Sequence, residues 1–412
     1  MTRTSFRTLC GVLLALGALL GCAGESDSAG DESMSARIAA PMNGGPATNL
    51  DPPSESGSDF GNPSSGESAT PPGVGSGPAS MPSSDDASDE APASMVGVTP
   101  DVTPVPSSSD DDGEAQPGTL TAGAWDDNLN FARFTQYRSK LMQSGMPGVM
   151  PTDDEAHVDA HELFAQEQGA RQQLDIALMI DTTGSMGDEI SYLQQELESI
   201  SKTIEDAYPD SDQHWALVVY RDTSDAYVTH QIDFTADVDA FRAELNEQSA
   251  DGGGDLPEAP DAAFIELNRL SWREGEDVAR LAFWVADAPH HEQNAESMMD
   301  GVLGAQALGV HVYPVASSGI DELTELTMRS SAQLTGGRYL FLTDDSGIGG
   351  DHKEPSIPCY FVTRLDNALL RMVDIEMTGE YRGPDPAAVI RTGGKPEDGA
   401  CQLESGDQVE IF

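Results

Sequence analysis

Between Ala170 and about Asp344, short apolar runs alternate with stretches whose apolar residues recur every three or four positions. The runs Ile176–Ile180, Trp215–Tyr220, Val278–Ala286, Val310–Val315 and Tyr339–Leu342 are too brief for buried helices and continuous enough for strands covered on both faces. After the first, Ile190, Leu193, Leu197, Ile200 and Ile204 fall on one face of a helix that ends before Tyr208-Pro209. Similar helical patterns occupy 237–247, 257–270, 294–307, 320–334 and 361–375. The alternation predicts an α/β fold, a doubly wound and mostly parallel sheet flanked by helices. Such sheets take ligands beyond the carboxyl ends of their strands, near a topological switch point.

The rest of the chain has a different character. Hydrophobic residues make up 38% and aromatics 6% of the 412 residues, too little for one compact body, so a folded region is expected beside one that cannot fold alone. Residues 22–118 are that segment: Gly, Pro, Ser, Asp and Glu dominate, and from Ala23 onward Arg37 is the only basic residue and Phe60 the only aromatic. They read as a disordered acidic tether, about 50–60 Å end to end as a flexible chain, either a stalk or a neutral spacer. The chain carries 71 acidic against 21 basic side chains, a net charge of -50, which excludes nucleic acids and anionic lipid headgroups as partners.

Residues 1–21 have the form of a secretory signal, with Arg3 and Arg7 ahead of an apolar run from Val12 to Leu20 that is too short to span a bilayer. Leu19-Leu20-Gly21-Cys22 resembles the lipobox of bacterial lipoproteins. The resemblance implies acylation of Cys22, a lipid anchor in the cell envelope and, since Ala23 is not the Asp that retains lipoproteins at an inner membrane, outer-membrane placement. Cys10 leaves with the signal, so Cys359 and Cys401 remain as an even pair in an oxidising compartment. A disulfide between them would contribute about 4 kcal/mol in the chain-entropy model and tie the helix at 361–375 to the tail, 376–412.

The first strand runs into Asp181-Thr182-Thr183-Gly184-Ser185-Met186. Oxygen side chains at alternate positions, Asp181, Thr183 and Ser185, can converge on one point, as a hard divalent cation requires. The segment LDIALMIDTTGSMGDEI, with YRD at 220–222, GGGDLPEAPDAA at 252–263, WVADAPHH at 284–291 and LTGGRYLFL at 334–342, resembles the von Willebrand factor type A (VWA) domain over 172–375. DTTGSM, GGGDxPE and DAP are most similar to the hemicentin-like and alpha-kinase-associated subgroup. Residues 119–171 resemble a short lead-in of exported bacterial domains of this type, expected as an edge strand and loop anchored by Trp125 and Phe131.

The resemblance implies a metal-ion-dependent adhesion site. Thr183 and Ser185 would bind one cation, Mg²⁺ first with Ca²⁺ or Mn²⁺ as alternatives, through their hydroxyls; Asp181 and Asp287 would act through bound waters. Asp255 would stand where many such sites have Thr, giving three carboxylates and a net charge of about -1 around a divalent ion. Asp255-x-x-Glu258, with Pro257, also has the pattern of a helix N-cap. Asp287 could merely begin a turn before Pro289. Asp222 could support the site as a second-layer acceptor or form a surface ion pair with Arg221. His290 and His291 read as exposed loop histidines. His157 and His161 read as a solvated helix face, because the Glu of HExxH is missing.

GxSxG and Walker-type loops do not occur, and no nucleophile and base pair stands out, so an enzyme is not expected. The expected function is a lipid-anchored envelope protein whose VWA domain binds a protein ligand through its metal. The alternative is a scaffold in which the metal only stabilises loops.

Overall fold

The computed structural model describes residues 118–151, 170–254, 256–397 and 399–411. The parallel set predicted from the apolar runs forms the centre of the sheet: β2 (Gln173–Asp181), β3 (Asp212–Tyr220), β5 (Val278–Ala286), β6 (His311–Ala316) and β7 (Tyr339–Leu342). Antiparallel strands extend it, namely β1 (Thr121–Trp125), β4 (Thr229–Thr235), β8 (Tyr360–Arg364) and β9 (Arg391–Gly393), in the order β4-β3-β2-β5-β6-β7-β1-β8-β9. The sheet is therefore mixed rather than mostly parallel. Because β3 and β5 lie on opposite sides of β2, the strand order reverses between β2 and β5.

The helices are α1 (Phe131–Gln143), α2 (Ile190–Ala207), α3 (Val238–Asn246), α4 (Pro260–Leu267), α5 (Ala295–Ala307), α6 (Glu322–Thr335) and α7 (Leu365–Thr378). On one face, Leu193, Leu197 and Ile200 of α2 and Leu369 and Met372 of α7 share a core with Ile176, Leu178, Leu217 and Val219. On the other, Phe264 of α4 and Met298 and Val302 of α5 pack with Ala177, Met179, Val218 and Trp284. Successive strand residues thus enter opposite cores, which is why these strands read as continuous apolar runs.

Two expectations change. The lead-in strand is not at an edge: β1 lies between β7 and β8, antiparallel to both. Gly123 permits this, since a Cβ there would stand 2.2 Å from the Phe341 ring. Trp125 is fully buried, as expected of an anchor, whereas Phe131 is half-buried against a small cluster with Phe134, Leu141 and Leu326. Beyond β1, Asp127 accepts the Trp125 indole N–H at 2.9 Å and pairs with Arg329 of α6 at 2.7 Å, both charged groups fully buried. The 361–375 stretch begins as a strand and becomes helical only at Leu365, because Tyr360, Phe361, Val362 and Thr363 are β-formers with β1 at hand to pair with.

Cys359 and Cys401 are disulfide-bonded, with Cα atoms 6.4 Å apart. The bridge joins the residue before β8, rather than α7, to the middle strand of a small antiparallel sheet, β10 (Pro396–Glu397), β11 (Ala400–Gln402) and β12 (Gln408–Glu410). Among the described residues no helix is long and apolar enough to cross a membrane. Cys22, the signal, the tether and the His157 and His161 pair lie outside the described residues.

Candidate functional site

The carboxyl ends of β2 and β5 flank the switch point, and the site is built there. β2 ends at Asp181, and the chain turns at once into a short 3-10 segment, Gly184–Asp188, ahead of α2. Asp181 Oδ1 accepts the Thr183 backbone N–H at 2.9 Å and the Thr183 hydroxyl at 2.6 Å, and Thr183 Oγ1 lies 3.2 Å from Ser185 Oγ. Sequence spacing alone closes this turn. Asp181 and Thr183 are fully buried and Ser185 is exposed, so the three oxygens lead from the sheet out to the surface.

Asp287 follows β5 and is buried. Burial and the charge of Asp287 push the Asp181 carboxyl up to about 7, against the hydrogen bonds from Thr183. Asp181 Oδ2 is buried without a hydrogen bond of ordinary geometry, and the nearby Tyr220 hydroxyl, which accepts the Trp284 indole N–H at 3.0 Å, offers it only a weaker interaction.

Glu258 is a further acidic group at the site, and its burial could not be read from the sequence. It is 1% exposed, and its Oε2 is buried with no hydrogen bond. Burial and the charges of Asp181, Asp222, Asp225 and Asp287 push it up to about 9. Gly253, at φ 67, brings the backbone against it: a Cβ there would lie 3.2 Å from Glu258 Oε1 and 3.3 Å from Thr183 Cβ. Asp255 lies outside the described residues; α4 begins at Pro260 with Ala259 as its N-cap.

The supporting residues differ from expectation in two places. Asp222 is buried and accepts a hydrogen bond from His291 Nε2 at 2.6 Å. Arg221 bonds the Ser249 carbonyl at 2.8 Å and stacks on Tyr227 instead of pairing with Asp222. His290 is buried rather than exposed: its Nε2–H donates to the Gly148 carbonyl at 2.8 Å, and burial lowers its pKa so that the neutral ring is favoured. Backbone bonds from Asp251 N to Thr182 O and from Gly184 N to Gly252 O join the first two loops.

This donor set consists of hydroxyl and carboxylate oxygens with buried acceptors, which fits a hard divalent cation better than a transition metal. Among the described residues no three His, Cys, Asp or Glu side chains gather as a metal cage.

Residues 175–312 match the family model of the von Willebrand factor A domain. An ariadne-like RING finger protein of Acanthamoeba polyphaga mimivirus is 28% identical over 190 residues, 41% of this chain and 18% of that protein. The alpha-protein kinase vwkA of Dictyostelium discoideum is 25% identical over 144 residues, 34% of this chain and 22% of that one. The chain thus spans less than a quarter of the length of these relatives. Among solved structures, BatB from Bacteroides thetaiotaomicron (16% identity, TM-score 0.32) covers 41% of this chain and 89% of its own. An aerotolerance-related membrane protein from Bacteroides fragilis (16%, TM-score 0.30) covers 42% and 92%. The chain carries a von Willebrand factor A domain, within the α/β fold described above.

Proposed function

We propose that this is an exported, lipid-anchored protein whose VWA domain, of the hemicentin-like and alpha-kinase-associated kind, binds a protein ligand at a divalent-cation site. The observation that supports it most is the convergence of Asp181, Thr183, Ser185 and Asp287 at the sheet's switch point, with the unbonded Oε2 of Glu258 beside them. Thr183 and Ser185 would hold the ion by their hydroxyls, with Asp181, Asp255, Asp287 and Glu258 balancing its charge directly or through water. A bound Mg²⁺ would supply a Lewis acid for a carboxylate of the ligand. The crowd of acids also lowers the ion's appetite for an external carboxylate, so firm metal binding with modest ligand capture is expected.

The scaffold reading keeps one supporting observation, the backbone bonds that already tie the 182–184 and 251–252 loops together. Calorimetric titration of the full chain with Mg²⁺, Mn²⁺ and Ca²⁺ tests the site, and no uptake of any of them sinks it. Ligand capture lost in EDTA supports the adhesion-type reading; EDTA-insensitive capture with lower thermal stability supports the scaffold. The anchor is tested apart: Cys22→Ser should leave the membrane fraction, and retention after salt and urea washes counts against acylation.

A further inference from the structure

Beside the candidate cation site is a groove of about 500 Å³. Two of its walls are the loops that follow the site acids, Leu256-Pro257 after Asp255 and Pro289 after Asp287, and Met146, Pro147 and Leu323 face them. Leu256 is 59% exposed, a large apolar side chain left in water at the mouth. Glu292, Asp321 and Glu322 also line the groove and are exposed, while His290, buried and held to Gly148, forms part of its wall and brings no cationic counterweight. Among the described lining residues there is no Lys or Arg.

We infer that this groove seats an extended segment of a protein partner that combines apolar side chains with Lys or Arg, the apolar groups entering between Leu256 and Leu323 and the cations meeting Glu292 and Glu322. Charge complementarity selects this occupant. A segment with neutral or acidic flanks would leave three carboxylates facing apolar or like-charged surface, whereas a basic one is steered in and held. The chain's own segment 152–169 carries six acidic residues and no Lys or Arg, so its charge matches that of the rim rather than complementing it. A second copy of this net -50 chain would bring the same mismatch. The inference rests on the interaction-domain reading in expecting a protein partner at this end of the sheet, but it makes no use of the cation.

The test is fluorescence anisotropy of the full chain with labelled peptides of about ten residues that alternate Leu with Lys, Ser with Lys, or Leu with Glu. At near-physiological salt the Leu/Lys peptide should bind about tenfold or more tighter than the Ser/Lys peptide, and the Leu/Glu peptide should not bind. Leu256→Ser with Glu322→Lys, both exposed positions that leave the core intact, should weaken Leu/Lys binding about tenfold while far-ultraviolet dichroism and the melting temperature stay near those of the unsubstituted chain. Adding EDTA should change nothing. Equal binding of Ser/Lys and Leu/Lys would overturn the inference in favour of bulk charge attraction. So would affinity unmoved by the double substitution, or a dimer in sedimentation that Leu256→Ser disperses. Magnesium calorimetry on the same samples separates the two readings: peptide binding without metal uptake sinks the cation site alone, and metal uptake without groove binding sinks this inference alone.

Discussion

Asp222, just beyond β3, and His291, just beyond β5, meet across the end of β2 through a 2.6 Å hydrogen bond. Asp222 also sits in a turn closed by Asp225, whose Oδ2 accepts both the Asp222 N–H at 3.1 Å and the Gly253 N–H at 2.9 Å. The loops after β3 and β5 and the glycine loop ahead of Asp255 are therefore linked through two carboxylates.

That linkage predicts a supporting role at the cation site. His291→Ala or Asp222→Asn should weaken Mg²⁺ uptake roughly tenfold without abolishing it, as loss of an outer-layer partner does at metal centres. Calorimetry gives the affinity. A loss of affinity as large as that from Asp181→Ala would mean that Asp222 touches the ion itself, and an unchanged affinity would reduce the pair to a loop fastening.

The lead-in depends on a buried ionic group. Arg329 is 1% exposed and binds Asp127 at 2.7 Å and Glu325 at 3.1 Å. Removing the guanidinium strands the buried Asp127 carboxylate with only the Trp125 indole N–H, whereas Glu325 keeps Lys353 at 3.1 Å and the Ser356 N–H at 2.8 Å, so Arg329→Met should cost about 3–5 kcal/mol. Arg329→Met with Asp127→Asn should recover part of that loss, because the stranded charge goes with it. Urea unfolding of the single and double variants gives the comparison, and a single variant within about 1 kcal/mol of the parent would show that water reaches the pair.

What the sequence reveals and what it hides follow from how local each interaction is. The Asp181–Thr183–Ser185 turn is closed by neighbours, so spacing alone exposes it. The central strands are legible because both faces are apolar. β4 is half in water along its length, with no apolar run to mark it. β1 is short and contains Gly123, whose fit depends on Phe341, distant in sequence, so nothing local marks it as an interior strand. Glu258 reads as part of a helix cap, and only the fold shows that the helix starts after it and that its carboxyl is buried within the field of the site's aspartates.

His352 forms a pH-sensitive clamp between the 347–357 segment and the start of α2. It lies 3.1 Å from Glu189 and 2.9 Å from Asp344. Burial works against its charge, but the hydrogen bonds to Glu189 and Asp344 and their charges outweigh it, so its pKa is raised. At Glu189 burial likewise opposes the charge, and the bonds from His352 and Ser318 carry its pKa below the usual value. A raised histidine stabilises fully below its unfolded pKa and loses that contribution as pH rises through the folded one; a depressed carboxylate stabilises above its unfolded pKa and loses it as pH falls through the folded one. The clamp should therefore be strongest from just above the unfolded Glu range to just below the unfolded His range. Amide exchange across 347–357 should quicken on moving to pH 9 beyond the intrinsic rate, and His352→Gln should remove that excess.

The acids at the switch point make a stronger pH prediction, because they act in one direction. Burial and mutual repulsion raise Asp181 to about 7 and Glu258 to about 9. A carboxyl whose folded pKa exceeds its unfolded value binds more protons in the folded state, so stability falls as pH rises between the two values. Here that interval runs from about 4 to about 9. In EDTA the melting temperature should drop by roughly 5 °C or more between pH 5 and pH 8. A cation at the site neutralises the same charges, so saturating Mg²⁺ should flatten the curve by restoring stability mainly at pH 8. Glu258→Gln keeps the volume and removes one acid, so it should raise the melting temperature at pH 8 in EDTA and weaken the Mg²⁺ effect. Equal slopes with and without Mg²⁺ would place the cation elsewhere, and a Glu258→Gln variant that melts lower in EDTA at pH 8 would mean that the carboxylate is stabilised there by groups other than a metal.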